Sequence, residues 1–86
     1  MTTVHFHMAE GEISFTLQLD PVPRIGDKIS FEALDRDLFD DDDQYEKFRS
    51  EGLASIHWRV EDVIWGINPK GIAFADVGLA TLFAKD

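Results

Sequence analysis

His5 and His7 stand two apart in the run Thr3-Val4-His5-Phe6-His7-Met8. On a strand this spacing sends both imidazoles from one face, as some zinc or nickel sites require. His57 is the only further imidazole in the sequence. All three fall out of phase with the apolar positions, so they could share an ion only if the first and fourth strands lay close together. No cysteine or fourth ligand accompanies them, so they read as solvated strand histidines and no metal site is assigned. The run Asp40-Asp41-Asp42-Asp43 offers carboxylate oxygens to a hard cation. Calcium loops, however, alternate their ligands and place glycine at the sixth position, whereas these side chains diverge and the next glycine is Gly52. The run reads instead as the solvated entrance of a helix. Ser55 and His57 share a strand face without a glycine elbow or an orienting acid, and adjacent Glu61 and Asp62 point to opposite faces. No catalytic residue and no cofactor site is assigned.

The elements that must hold these residues follow from the side-chain rhythm. Val4, Phe6 and Met8 alternate with Thr3, His5 and His7, and Ile13, Phe15, Leu17 and Leu19 alternate with Ser14, Thr16, Gln18 and Asp20. These are two strands of period two, over 3–8 and 13–20, joined through Gly11 as an antiparallel hairpin. Pro21 and Pro23 cannot continue a central strand, and Gly26 permits a reversal. A third strand, Lys28 to about Leu34, puts Ile29, Phe31 and Ala33 inward.

From Asp35 to Glu51 acids far outnumber the bases Arg36, Lys47 and Arg49. Asp43 and Glu46 have capping-box spacing and Gly52 can close a C-terminus, so a short helix is expected over 43–51. Tyr45 and Phe48 share a face of that helix and would pin it to the sheet with Leu38 or Phe39. Asn68-Pro69-Lys70-Gly71 fits a type I turn and joins strands over 53–67 and 72–83. Ile56, Trp58 and Val60 keep one phase, whereas Val63, Trp65 and Ile67 keep the other. A β-bulge at Glu61-Asp62 would return Val63 and Trp65 to the core side. Regular alternation would instead leave them as an apolar stripe needing cover. The bulge is the preferred reading, because a small barrel needs sharp strand bends.

The expected fold is therefore mainly β (α+β): a small five-stranded antiparallel meander curling toward a barrel, with one short helix inserted between strands 3 and 4. Residues 1–86 form one domain, with the acidic insert at 35–52. Two of its segments, Pro23-Arg24-Ile25-Gly26-Asp27 and Trp58-Arg59-Val60-Glu61-Asp62-Val63, resemble those of a group of small bacterial and phage β-barrel proteins. That group carries a Pro-Arg-x-Gly-Asp turn and an aromatic-x-Val-x-x-Val strand. The resemblance implies an SH3-like barrel. It implies no activity, because the group has none in common, and the long acidic insert departs from its pattern.

Charge and composition narrow the function. Seventeen acids against eight bases give a net charge of −9, with no basic stripe for a phosphate backbone, so direct nucleic-acid binding is not expected. Hydrophobic residues at 44% suffice for a core, and no run reaches the roughly 20 residues of a membrane span. Without a signal-like start the chain is expected in the cytoplasm, as a monomer or weak homodimer with no membrane contact. The leading expectation is a non-catalytic protein-interaction module that presents Phe39, Asp40, Asp41, Asp42, Asp43, Tyr45 and Trp65 to a basic protein partner. The alternatives are a nucleic-acid-mimicking inhibitor and a barrel that holds a small ligand against Trp58 or Trp65.

Overall fold

The computed structural model describes residues 1–8, 12–32 and 34–82. Its five strands are β1 (Thr2–Met8), β2 (Ile13–Leu19), β3 (Lys28–Ser30), β4 (His57–Ile67) and β5 (Ala73–Leu82). One helix, α1 (Asp42–Ser50), lies between β3 and β4, flanked by single 3-10 turns at Arg36–Leu38 and Leu53–Ser55. The strands form one sheet in the order β2-β1-β5-β4-β3, curled into half a barrel. The turn expected through Gly11 lies outside the described residues, as do Ala33 and Phe83. Ser55 belongs to the turn ahead of β4 and shares no strand face with His57.

The expected all-antiparallel meander is corrected at two seams: β2 and β3 do not pair, and β1 meets β5. Strands that reverse at every connection leave the first and fifth running the same way, so when those two meet they pair in parallel. They do so here, from Thr3 opposite Phe74 to His7 opposite Gly78. The remaining pairs, β1/β2, β3/β4 and β4/β5, are antiparallel. The sheet thus joins at β1/β5 and opens between β2 and β3, the two edge strands.

The insert fills that opening. Phe39 forms a bridge with Phe15 of β2, and the Asp40 N–H donates to the Ser14 carbonyl at 3.3 Å. Ser14 in turn donates its N–H to Gln44 Oε1 at 2.6 Å, so an edge of β2 that would otherwise face water is bonded to α1. The helix begins one residue earlier than expected because its cap is Asp41, whose Oδ1 accepts from the Gln44 N–H at 2.9 Å. Gln44 Nε2 also donates to Asp41 Oδ2 at 3.3 Å. One glutamine therefore serves the cap and the β2 edge together. Gly52 closes the helix in the left-handed region at φ +68, as expected.

Side chains of one phase from every strand meet inside the curl. Val4, Phe6, Met8, Ile13, Phe15, Trp58, Val60, Val77 and Leu79 are buried with Phe31, Phe39, Phe48 and Leu53. Phe15 sits centrally, its ring 5.3 Å from Phe6, 5.1 Å from Phe31, 5.2 Å from Phe39 and 6.2 Å from Phe48. Phe48 is the only buried residue of α1. The expected bulge is present: the β4/β5 register shifts between Val60 and Asp62. The expected turn is present too. Gly71 at φ +82 donates to the Asn68 carbonyl at 2.8 Å, and Asn68 Oδ1 accepts from the Lys70 and Ile72 N–H groups.

Candidate functional site

On the convex face the expected histidine pair is built into a polar lattice. His5 Nδ1 lies 2.9 Å from Thr16 Oγ1, His7 Nδ1 lies 3.1 Å from Ser14 Oγ, and His7 Nε2 lies 3.3 Å from Asp76 Oδ1. His57 is elsewhere. It pairs with Leu82, six residues along β5 from the Asp76 that pairs with His5, or roughly 20 Å at strand rise. Among the described residues no group of three His, Cys, Asp or Glu side chains is placed to hold a metal ion. Phe74 packs on this face across Gly66, where an added Cβ would lie 2.3 Å from the ring, and meets His5 edge-on at 5.8 Å.

The acidic insert divides into covered and uncovered parts. Phe39 is only 7% exposed, so it belongs to the core and is removed from the expected contact surface. Tyr45 is half-buried against Phe39 at 5.6 Å, with the Arg36 guanidinium 5.2 Å above its ring. Asp41 is used as the helix cap, Asp42 lies 3.8 Å from Arg36, and Asp40 and Asp43 face solvent. The insert therefore shows carboxylates outward and turns its large aromatics inward. Lys47 joins α1 to Glu12 ahead of β2 through a hydrogen bond that holds its ammonium above its ordinary value of 10.5. A base raised on folding contributes its stability below that value and loses it only as pH climbs past it, so this contact is intact throughout the neutral range.

The exposed apolar surface lies at the other end of the molecule. Trp65 shares the core-facing phase of β4 with Trp58, Val60 and Val63, as the bulge implies, yet it is 55% exposed. The bulge turns the side chain inward, but the strand outruns its cover. β3 pairs with β4 only from His57 to Arg59, and Gly26 and Asp27 add bonds of 2.8 Å each to the Val60 carbonyl and N–H. The chain then diverges through Pro23, and the β4/β5 hairpin projects beyond the curl, giving extents of 41 × 29 × 20 Å.

The Pro-Arg-x-Gly-Asp segment explains its own residues. The Asp27 N–H donates to the Arg24 carbonyl at 3.0 Å, the Asp27 carboxylate accepts from the Arg24 N–H at 2.8 Å, and Gly26 supplies φ +96. This is a type II turn, whose second position projects from the turn. Ile25 occupies that position and is 66% exposed. Between this turn and β4 runs a cleft of about 380 Å³ lined by Val22, Pro23, Arg24, Ile25, Val63 and Trp65. Ile67, 72% exposed, extends the apolar surface toward the hairpin tip.

The expected contact residues thus fall into two groups. The α1 helix packs on β2 and on the turn just before His57. Trp65 is eight residues further along β4, roughly 27 Å at strand rise. Trp65 belongs to the expected contact set, whereas its neighbours Ile25, Val22, Pro23 and Val63 do not. The signal was present in the glycine of the turn, which forces the residue before it outward. No helix is long and apolar enough to cross a membrane among the described residues. Comparison with protein-family models, with curated proteins and with solved structures finds no match.

Proposed function

We propose that this chain is a non-catalytic protein-interaction module whose principal contact surface is the apolar hairpin end rather than the acidic insert. The observation that carries this reading is the clustering of Ile25, Trp65 and Ile67 beside an apolar cleft, in a domain that buries Trp58, Phe6, Phe15, Phe31, Phe39 and Phe48. Tryptophan in such a setting gives wide contact area at small entropic cost, and isoleucine supplies complementary shape. The carboxylates of Asp40, Asp42 and Asp43 lie roughly 27 Å from this surface along β4, beyond the Debye length at physiological salt, and form no part of it. An SH3-like barrel is our reading of the curled sheet, supported by the Pro-Arg-x-Gly-Asp turn and the bulged β4. Cytoplasmic residence is part of the same proposal.

The test is quantitative capture from native lysate by immobilised chain, with near-ultraviolet circular dichroism as the folding control. The double variant Ile25→Ser, Trp65→Ser is expected to lower recovery of specific partners by about tenfold or more, the scale of a lost contact hot spot. Neutralising Asp40, Asp42 and Asp43 to Asn is expected to leave recovery unchanged, because the insert lies several Debye lengths from the hairpin end. Equal recovery by the folded double variant and the parent chain would reject the hairpin end as the contact surface.

A further inference from the structure

We infer that the outer edge of β4, from Val63 to Ile67, pairs with the same edge of a second copy of this chain to make a continuous sheet across a two-fold axis. The inference rests on the hairpin end being a contact surface, and adds a second copy of the chain as its occupant. Three observations converge on it.

The first is backbone direction. In an antiparallel ladder, successive residues aim their N–H and C=O groups alternately at the two neighbouring strands. Val60 aims both groups at the β3 side, where Gly26 and Asp27 meet them. The bulge inserts one residue, so the groups aimed at that side beyond it belong to Val63, Trp65 and Ile67. No backbone hydrogen bond reaches these groups from that side among the described residues. Gly26 and Pro23 divert the chain that would have met them. An uncovered apolar edge of this kind is a template for strand addition.

The second is self-complementarity. With Trp65 opposite Trp65 of the second copy, Val63 faces Ile67 and Ile67 faces Val63, so all three outward residues find partners. The ladder ends before Pro69, which has no N–H to offer. On one face this register sets the two indoles side by side within reach of Ile25, and on the other it sets Ile64 against Gly66.

The third is charge. The same register sets Pro69 of each copy opposite Glu61 of the other, so the adjoining Lys70 comes within side-chain reach of Glu61; both side chains are exposed, and within its own chain Glu61 accepts from Arg59 at 3.0 Å. The paired segment from Val63 to Ile67 is itself uncharged. The acidic insert lies roughly 27 Å away along β4, several Debye lengths at physiological salt, so a net charge of −9 does not prevent two copies from meeting there.

Sedimentation of the full chain across a concentration series, with amide exchange on the same samples, tests the inference. A monomer–dimer equilibrium is expected, with protection of the Val63, Trp65 and Ile67 amides rising with concentration. The Ile64 and Gly66 amides, which already face β5, should stay constant. Trp65→Lys should weaken dimerisation by about tenfold or more. Lys70→Glu should weaken it by about threefold, and adding Glu61→Lys should recover most of that loss. A second variant, Ile67→Lys, should behave as Trp65→Lys, so the test does not depend on one replacement folding. A chain that stays monomeric to millimolar concentration overturns the inference. So does a dimer that Trp65→Lys and Ile67→Lys leave intact. A monomer that still loses its lysate partners on Ile25→Ser, Trp65→Ser overturns only the second copy as occupant and leaves the contact-surface reading standing.

Discussion

Replacing Phe15 with alanine is expected to lower folding stability by about 3–5 kcal/mol, the range for truncating a fully buried aromatic. Phe15 is wholly buried, and its ring is the one shared by the sheet, through Phe6 and Phe31, and the insert, through Phe39 and Phe48. Its backbone also pairs with Phe39 across the open seam. The truncation therefore opens a cavity where the two parts meet, and neither can collapse into it without losing contact with the other. A domain of this size has stability toward the low end of about 5–15 kcal/mol, so the variant should retain little. Urea unfolding reads the effect directly. With a slope of about 1–1.5 kcal/mol/M the midpoint should fall by roughly 2–5 M, while Phe15→Leu keeps most of the parent value. A loss below about 1 kcal/mol for the alanine variant would show that the insert does not share this core.

Trp58→Ala should be comparably severe for a different reason. Trp58 is the largest of the fully buried side chains, set on β4 between Ile29 of β3 and Thr81 of β5. Its indole N–H donates to the Leu53 carbonyl at 3.4 Å, tying the turn ahead of β4 to the strand. Alanine removes the packing and leaves that carbonyl without its donor, for a loss of about 3–5 kcal/mol. At about 4–8 °C per kcal/mol for a domain of 60–100 residues, the melting temperature should fall by more than about 12 °C. Phe at the same position keeps most of the buried area and should lose only about 1–3 kcal/mol, chiefly through the orphaned carbonyl. If alanine and phenylalanine behaved alike, packing would not be the dominant role of this residue.

The sequence makes some of this architecture legible and conceals the rest for physical reasons. Strands β1 and β2 are readable because one face is buried and the other wet, which stamps a period of two on the residues. The Asn68–Gly71 turn and the Glu61 bulge are readable because glycine, proline and a broken phase are local demands of the backbone. The parallel β1/β5 pairing is not, since contact between Val4 and Ala75 leaves no periodic mark on either segment. The Asp43–Glu46 spacing places the helix start one residue late, because four consecutive aspartates can each cap. The choice of Asp41 follows from Gln44, whose amide also reaches Ser14, a residue thirty positions away. Phe39 reads both as a pin for the helix and as a contact residue, because acids surround it in sequence and its burial depends on what β2 offers it across the seam. Trp65 was placed in the correct phase. Its exposure stayed hidden because phase tells which face a side chain takes and not how far along the strand the covering elements extend.

The most direct measurement is the emission of Trp65 itself, taken as the difference between the parent chain and Trp65→Phe at high dilution, where copies are separate. A red-shifted difference spectrum readily quenched by iodide is predicted, leaving the blue, quencher-resistant emission of Trp58 in the variant. A blue, quencher-resistant difference spectrum would place Trp65 inside the fold and contradict the contact surface on which the functional reading stands.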